Sequence, residues 1–109
     1  MKDLQRICKS YAEDLNDLYK KWSDEEYDEY ENFYSWFDSD VLSVEVTSDM
    51  SKRYICASVC LGFGGPNVYL NTRTGYIEGY WGNESYEYPV DKEVSDYIDE
   101  RINEMWEGY

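Results

Sequence analysis

Apolar residues at the start of the chain recur at three- and four-residue steps: Leu4, Ile7, Cys8, Tyr11, Leu15, Leu18, Tyr19 and Trp22. This spacing gathers them on one stripe and predicts a helix of about 20 residues. Asp3, Lys9, Glu13, Asp14 and Asp17 form its solvated side. Ser23 followed three residues later by Glu26 fits a capping box, so a second helix is expected to start there. Tyr27, Tyr30, Phe33, Tyr34 and Phe37 would make its aromatic stripe, with Asp24, Glu25, Glu26, Asp28, Glu29 and Glu31 crowding the rest. Acids in a first turn suit the positive end of a helix dipole, which accounts for the first three and not for all six.

From Val41 the period changes to two. Leu42, Val44 and Val46 alternate with Ser43, Glu45 and Thr47, and Ile55, Ala57, Val59 and Leu61 alternate with Tyr54, Cys56, Ser58 and Cys60. Val68 and Leu70 alternate with Asn67, Tyr69 and Asn71, and Ile77 and Trp81 with Tyr76, Glu78 and Tyr80. These are strands with one buried face, joined by turns at Ser48 to Lys52 and Asn71 to Gly75. Pro89 is expected to close the sheet, and Asp91 to cap a last helix that buries Val94, Tyr97, Ile98, Ile102, Met105 and Trp106. The expected fold is α+β: N-terminal helices, a four-stranded antiparallel meander and a C-terminal helix packed on one face of the sheet, all in a single domain over residues 1–109.

Charge changes the picture most. Asp and Glu number 24 against 10 Lys and Arg, a formal −14 at neutral pH, and 13 Tyr, 4 Trp and 3 Phe separate the chain from a disordered acidic tail. Such a charge disfavours nucleic acid and anionic membranes as partners and favours a basic protein surface, although acidity also serves solubility alone. Between Lys21 and Lys52 there is no basic residue, while Asp38, Asp40, Glu45 and Asp49 add to the acids of the second helix.

Chemistry is sparse. There is no histidine, which removes the usual general base and the commonest zinc ligand, so the chain reads as a non-enzyme with no cofactor or metal. Cys56 and Cys60 sit four apart on a predicted strand, about 13 Å in an extended chain, too far for a mutual disulfide or one zinc site. With Cys8 they make an odd count, and Met1-Lys2-Asp3-Leu4 leads straight into a polar pattern, so a reduced, cytoplasmic protein is expected. Gly62-Phe63-Gly64-Gly65-Pro66 lacks the lysine and helix of a phosphate-binding loop and reads as a turn. Tyr54, Tyr69, Tyr76 and Tyr80 share the parity opposite the core, where tyrosines serve either an interface or cross-strand packing.

The run Cys60-Leu61-Gly62-Phe63-Gly64-Gly65-Pro66-Asn67-Val68-Tyr69-Leu70-Asn71-Thr72, then Gly79-Tyr80-Trp81-Gly82 and the acidic last helix, resembles small acidic proteins of phages and conjugative elements from Firmicutes and other gut bacteria. In size and acidity the chain also resembles anti-CRISPR and anti-restriction proteins that imitate DNA. The resemblance implies a cytoplasmic inhibitor, monomeric or homodimeric, of a basic nucleic-acid-binding host protein such as a CRISPR effector or restriction enzyme. The alternative is an immunity protein or antitoxin against a basic nuclease toxin. The contacting acids are expected to be Asp24, Glu25, Asp28, Glu29, Glu31, Asp38 and Asp40, with Tyr69 and Tyr80 as anchors.

Overall fold

The computed structural model describes residues 2–24 and 29–108, and side chains within that span except those of 24 and 29–31. The elements run α1 (Lys2–Asp24), α2 (Glu29–Asp40), β1 (Ser43–Ser48), β2 (Tyr54–Gly62), β3 (Asn67–Asn71), β4 (Tyr76–Trp81), β5 (Glu84–Pro89) and α3 (Lys92–Glu107). The strands form one antiparallel meander in the order β1-β2-β3-β4-β5. The α+β class and the flanking helices are as the periodicity predicts, but the sheet has five strands rather than four. The additional strand folds back through a hairpin at Gly82, whose φ of 61° is a left-handed value that glycine adopts freely. Its register pairs Gly79 with Tyr86 and Ile77 with Tyr88, so both tyrosines lean toward the core. Pro89 closes the sheet as expected, as the last residue of this edge strand, a position where a missing N–H is tolerated.

All three helices lie on one face of the sheet. Leu4, Cys8, Ala12 and Leu15 of α1 are buried with Val59, Val68, Leu70 and Ile77 of the strands and Val94, Ile98 and Ile102 of α3. The principal extents, 40 × 39 × 23 Å, are those of one helix layer on one sheet layer, so none of the described helices lies over the opposite sheet face. Among the described residues no helix is long and apolar enough to cross a membrane.

Several local expectations are corrected. Ser23 does not start α2: it lies in the last turn of α1 and its hydroxyl donates to the Tyr19 carbonyl at 3.0 Å. Its partner in the expected box, Glu26, lies outside the described residues, as does Tyr27. Tyr54, expected on the outer face, instead reaches the helix layer and donates its hydroxyl to Asp99 of α3. The cause is a register shift where Thr47 and Ser48 face Cys56 and Tyr54: one extra residue, Ile55, is inserted, and the parity before it is inverted. Ile55 is accordingly 48% exposed rather than buried, and Leu42, which precedes β1 rather than joining it, is 60% exposed. Thr72 completes the contact with α3 by donating to Asp99 at 2.7 Å while accepting the Ala57 N–H at 2.9 Å. Burial, then the bond to Asp99, pushes the Tyr54 phenol well above its usual range, so it stays a neutral donor. Asp91 occupies the cap position of α3 as expected, but its side chain makes no capping bond.

The β1–β2 turn is held by one carboxylate. Asp49 accepts the N–H groups of Ser51 and Arg53, each at 2.9 Å, and pairs with Arg53 Nε at 2.9 Å. The Arg53 backbone bond holds its carboxyl below the usual range; desolvation, the next largest effect, opposes it, and the Arg53 side chain and the Ser51 N–H add to the lowering. A carboxyl lowered on folding stabilises the turn at pH above about 4 and loses that contribution as the pH falls through the lowered value. Amide exchange at Ser51 and Arg53 is therefore expected to accelerate on acidification below that range, and Asp49→Asn to remove the pH dependence. Exchange independent of pH after correction for its intrinsic rate would contradict this role.

Candidate protein-binding surface

The helix-free face follows from register. One row across the sheet reads Ser43, Cys60, Tyr69, Glu78 and Glu87, and the row beside it Glu45, Ser58, Asn71, Tyr76 and Pro89. Asn67, Tyr80 and Ser85 make a third. No Lys or Arg belongs to any of these rows, although Glu45, Glu78 and Glu87 do. Lys52, Arg53 and Arg73 stand in the turns at one end of the sheet, off the face itself.

Tyr69 and Tyr80 come together at the centre, their ring centroids 6.0 Å apart in an edge-to-face arrangement. Glu78 lies between polar partners: Asn71 Nδ2 donates to one carboxylate oxygen at 3.1 Å, and the Tyr80 hydroxyl lies 3.4 Å from the other. Burial first, then the charges of Glu78 and Glu87, raise the Tyr80 phenol above its ordinary value, so the ring presents a neutral hydroxyl. Glu78 and Glu87 are directly opposed on neighbouring strands, an arrangement of like charges that works against the sheet. A face with this composition offers carboxylates and the negative faces of aromatic rings together, the combination that receives guanidinium and ammonium groups.

The anticipated site residues divide between the two layers. Tyr69 and Tyr80 are on the helix-free face, half-buried and exposed respectively. Asp38 and Asp40 are exposed at the C-terminal end of α2, in the helix layer; the last turn of α2 has no basic residue of its own, and Lys21 of α1 lines a cleft with Asp40. Asp40 lines a cleft of about 270 Å³ with Tyr11, Asp14, Leu15, Leu18, Trp36 and Leu61. Glu29 and Glu31 belong to α2 and Asp24 ends α1, with side chains beyond the description; Glu25 and Asp28 lie outside the described residues altogether. The structure therefore does not join Asp38 and Asp40 with the tyrosine pair into one patch. Glu78, Glu87 and Asn71 were not anticipated as contacts. Glu78 had the right parity to be found, whereas Glu87 becomes its neighbour only once β5 exists.

Cys56 and Cys60 also belong to this face but are buried under its longer side chains as free thiols, in keeping with small filling residues. Set against known families, curated proteins and solved structures, the chain matches no family model, no curated protein and no solved structure.

Proposed function

We propose that this protein is an inhibitor of a basic, nucleic-acid-binding bacterial enzyme of the defence class, anti-CRISPR or anti-restriction in type, which it blocks by occupying the surface that otherwise holds DNA. The observation that carries the reading is the helix-free sheet face, where Glu78 and Glu87 oppose each other beside Tyr69 and Tyr80 with no cation in the same rows. Opposed carboxylates weaken a sheet in isolation, and a cationic partner relieves the repulsion on binding. Neighbouring strands hold the backbones of these two residues about 5 Å apart on a rigid support. Arginine and lysine side chains of a DNA channel would find charge and ring faces prearranged, with fast, salt-sensitive association. Asp38 and Asp40 extend the negative field on the helix layer without touching the same surface.

The test begins with capture of a nucleic-acid enzyme from a bacterial lysate at low salt and its release at high salt. Glu78→Lys combined with Glu87→Lys is then expected to weaken inhibition of the captured enzyme by about a hundredfold, as two charge reversals at a central contact should, while circular dichroism stays unchanged. Asp38→Lys with Asp40→Lys probes the helix layer in parallel. Inhibition that survives the first pair and disappears with the second transfers the contact to α2, and inhibition that survives both ends the DNA-mimic reading.

A further inference from the structure

We propose that the free edge of β1, with the apolar groove beside it, is a second docking surface that takes up an extended cationic segment of a partner as a sixth strand. This surface is separate from the tyrosine and carboxylate face, and either can fail without the other. β1 ends the sheet on one side. The direction of its peptide groups follows from its neighbours. Thr72 N–H donates to Ala57 O at 3.0 Å and Ala57 N–H to Thr72 Oγ1 at 2.9 Å, so the peptide groups of Ala57 face β3. Alternation turns those of Cys56, Ser58 and Cys60 toward β1, as the bond from Leu42 N–H to Cys60 O at 2.9 Å confirms. Their register partners Thr47, Glu45 and Ser43 face back, which leaves the N–H and C=O groups of Val44 and Val46 directed away from the sheet.

Beside those two valines runs a groove of about 240 Å³ lined by Phe37 of α2, Val44 and Val46 of β1, and Ile102, Met105 and Trp106 of α3. It has no charged residue in its lining, and it supplies the apolar floor that every second side chain of an added strand needs. The occupant is set by charge. Asp38, Glu104 and Glu107 adjoin the lining residues in sequence and are exposed. Of the cations in this region, Arg101 is held by Glu104 at 3.1 Å and Arg53 by Asp49 at 2.9 Å, while the Lys52 carbonyl accepts the Trp106 indole N–H at 2.7 Å. A second copy of this chain would bring another −14 to the same edge, whereas a segment alternating apolar and basic residues meets both the floor and the rim. The opposite edge is unlike this one, since β5 carries Pro89, Glu84 and Glu87.

The probe is a short acetylated peptide alternating lysine and valine, compared with a peptide of the same composition in which all lysines precede all valines. The alternating peptide is expected to bind the whole protein about tenfold more tightly, the difference that one or two net hydrogen bonds make, and to slow amide exchange at Val44 and Val46. Val44→Pro removes an outward N–H and none of the bonds to β2, so it should fold and bind the alternating peptide about tenfold more weakly. Equal affinity for the two peptides, or protection elsewhere than at Val44 and Val46, overturns the proposal. So does a homodimer that protects those amides without any peptide. Should Val44→Pro fail to fold, the exchange measurement on the unaltered protein still decides.

Discussion

Replacing Phe33 by alanine is expected to destabilise the protein by about 4 kcal/mol, the middle of what the loss of a buried aromatic ring produces. Phe33 is fully buried, and its ring meets those of Trp22 at 5.7 Å, Trp36 at 5.7 Å, Phe37 at 5.8 Å and Tyr97 at 5.8 Å. Trp22 belongs to α1 and Tyr97 to α3, so a single side chain from α2 joins the three helices. Tyr97 is held in turn by Tyr19 at 5.5 Å and by the Arg101 guanidinium 5.1 Å over its ring. Edge-to-face geometry adds to plain burial at several of these pairs. The variant should show a lower denaturant midpoint, a reduced near-ultraviolet circular dichroism signal and red-shifted tryptophan emission from Trp22 and Trp36. A loss below about 1 kcal/mol would mean that the site collapses around the missing ring and that α2 is held by other contacts.

The second large effect is expected at Gly79, in the middle of β4 where a glycine ordinarily weakens a strand. Here α1 crosses so closely that a Cβ at 79 would overlap Cys8 Sγ and come within 2.9 Å of Leu4 Cδ1. Both partners are fully buried, so neither can swing into solvent. Gly79→Val should therefore destabilise by about 3 kcal/mol through overpacking. Gly79→Ala should cost less, and Cys8→Ala added to it should recover about 1 kcal/mol, because the sulfur is the nearest obstacle. Denaturant unfolding of the two singles and the double measures that coupling. Strict additivity would show that α1 shifts as a body and that the contact with Cys8 is not the constraint.

The helical stripes of α1 and α3 were legible because helix burial follows one period over many turns: Leu4, Cys8 and Leu15 are buried as the spacing requires, and so are Val94, Ile98 and Ile102. β5 was not. Its only large apolar positions, Tyr86 and Tyr88, are flanked by Glu84, Ser85 and Glu87, and an edge strand needs little more than that to pair with one neighbour. Pro89 is ambiguous in sequence, since it can equally well follow a strand or end one at an edge. Tyr54 was misplaced because a bulge inverts parity without altering composition, so no local pattern marks it. Ser23 satisfies the lettering of a capping box, yet a serine can also return its hydroxyl to the preceding turn and let the helix continue, as it does toward Tyr19.

The candidate surface divides along the same lines. Tyr69 and Tyr80 could be set on one face by alternation alone, and the structure brings their rings together. The opposition of Glu78 and Glu87 depends on a pairing between strands, which one strand's sequence does not contain. That Asp38 and Asp40 lie in the other layer depends on where α2 packs, which is decided by Phe33 and its ring neighbours rather than by the acids themselves.

The two borders of the sheet differ, and the difference limits how far assembly can go. Repetitive stacking into a filament needs a molecule that both offers and accepts a strand, so that every addition recreates the border just consumed. With Pro89 and two glutamates on β5, the two borders are unlike, and under the proposal above a strand is accepted at β1. If strands are accepted at β1 alone, growth by strand pairing stops after a single step, so concentrated protein is expected to form discrete complexes rather than fibres.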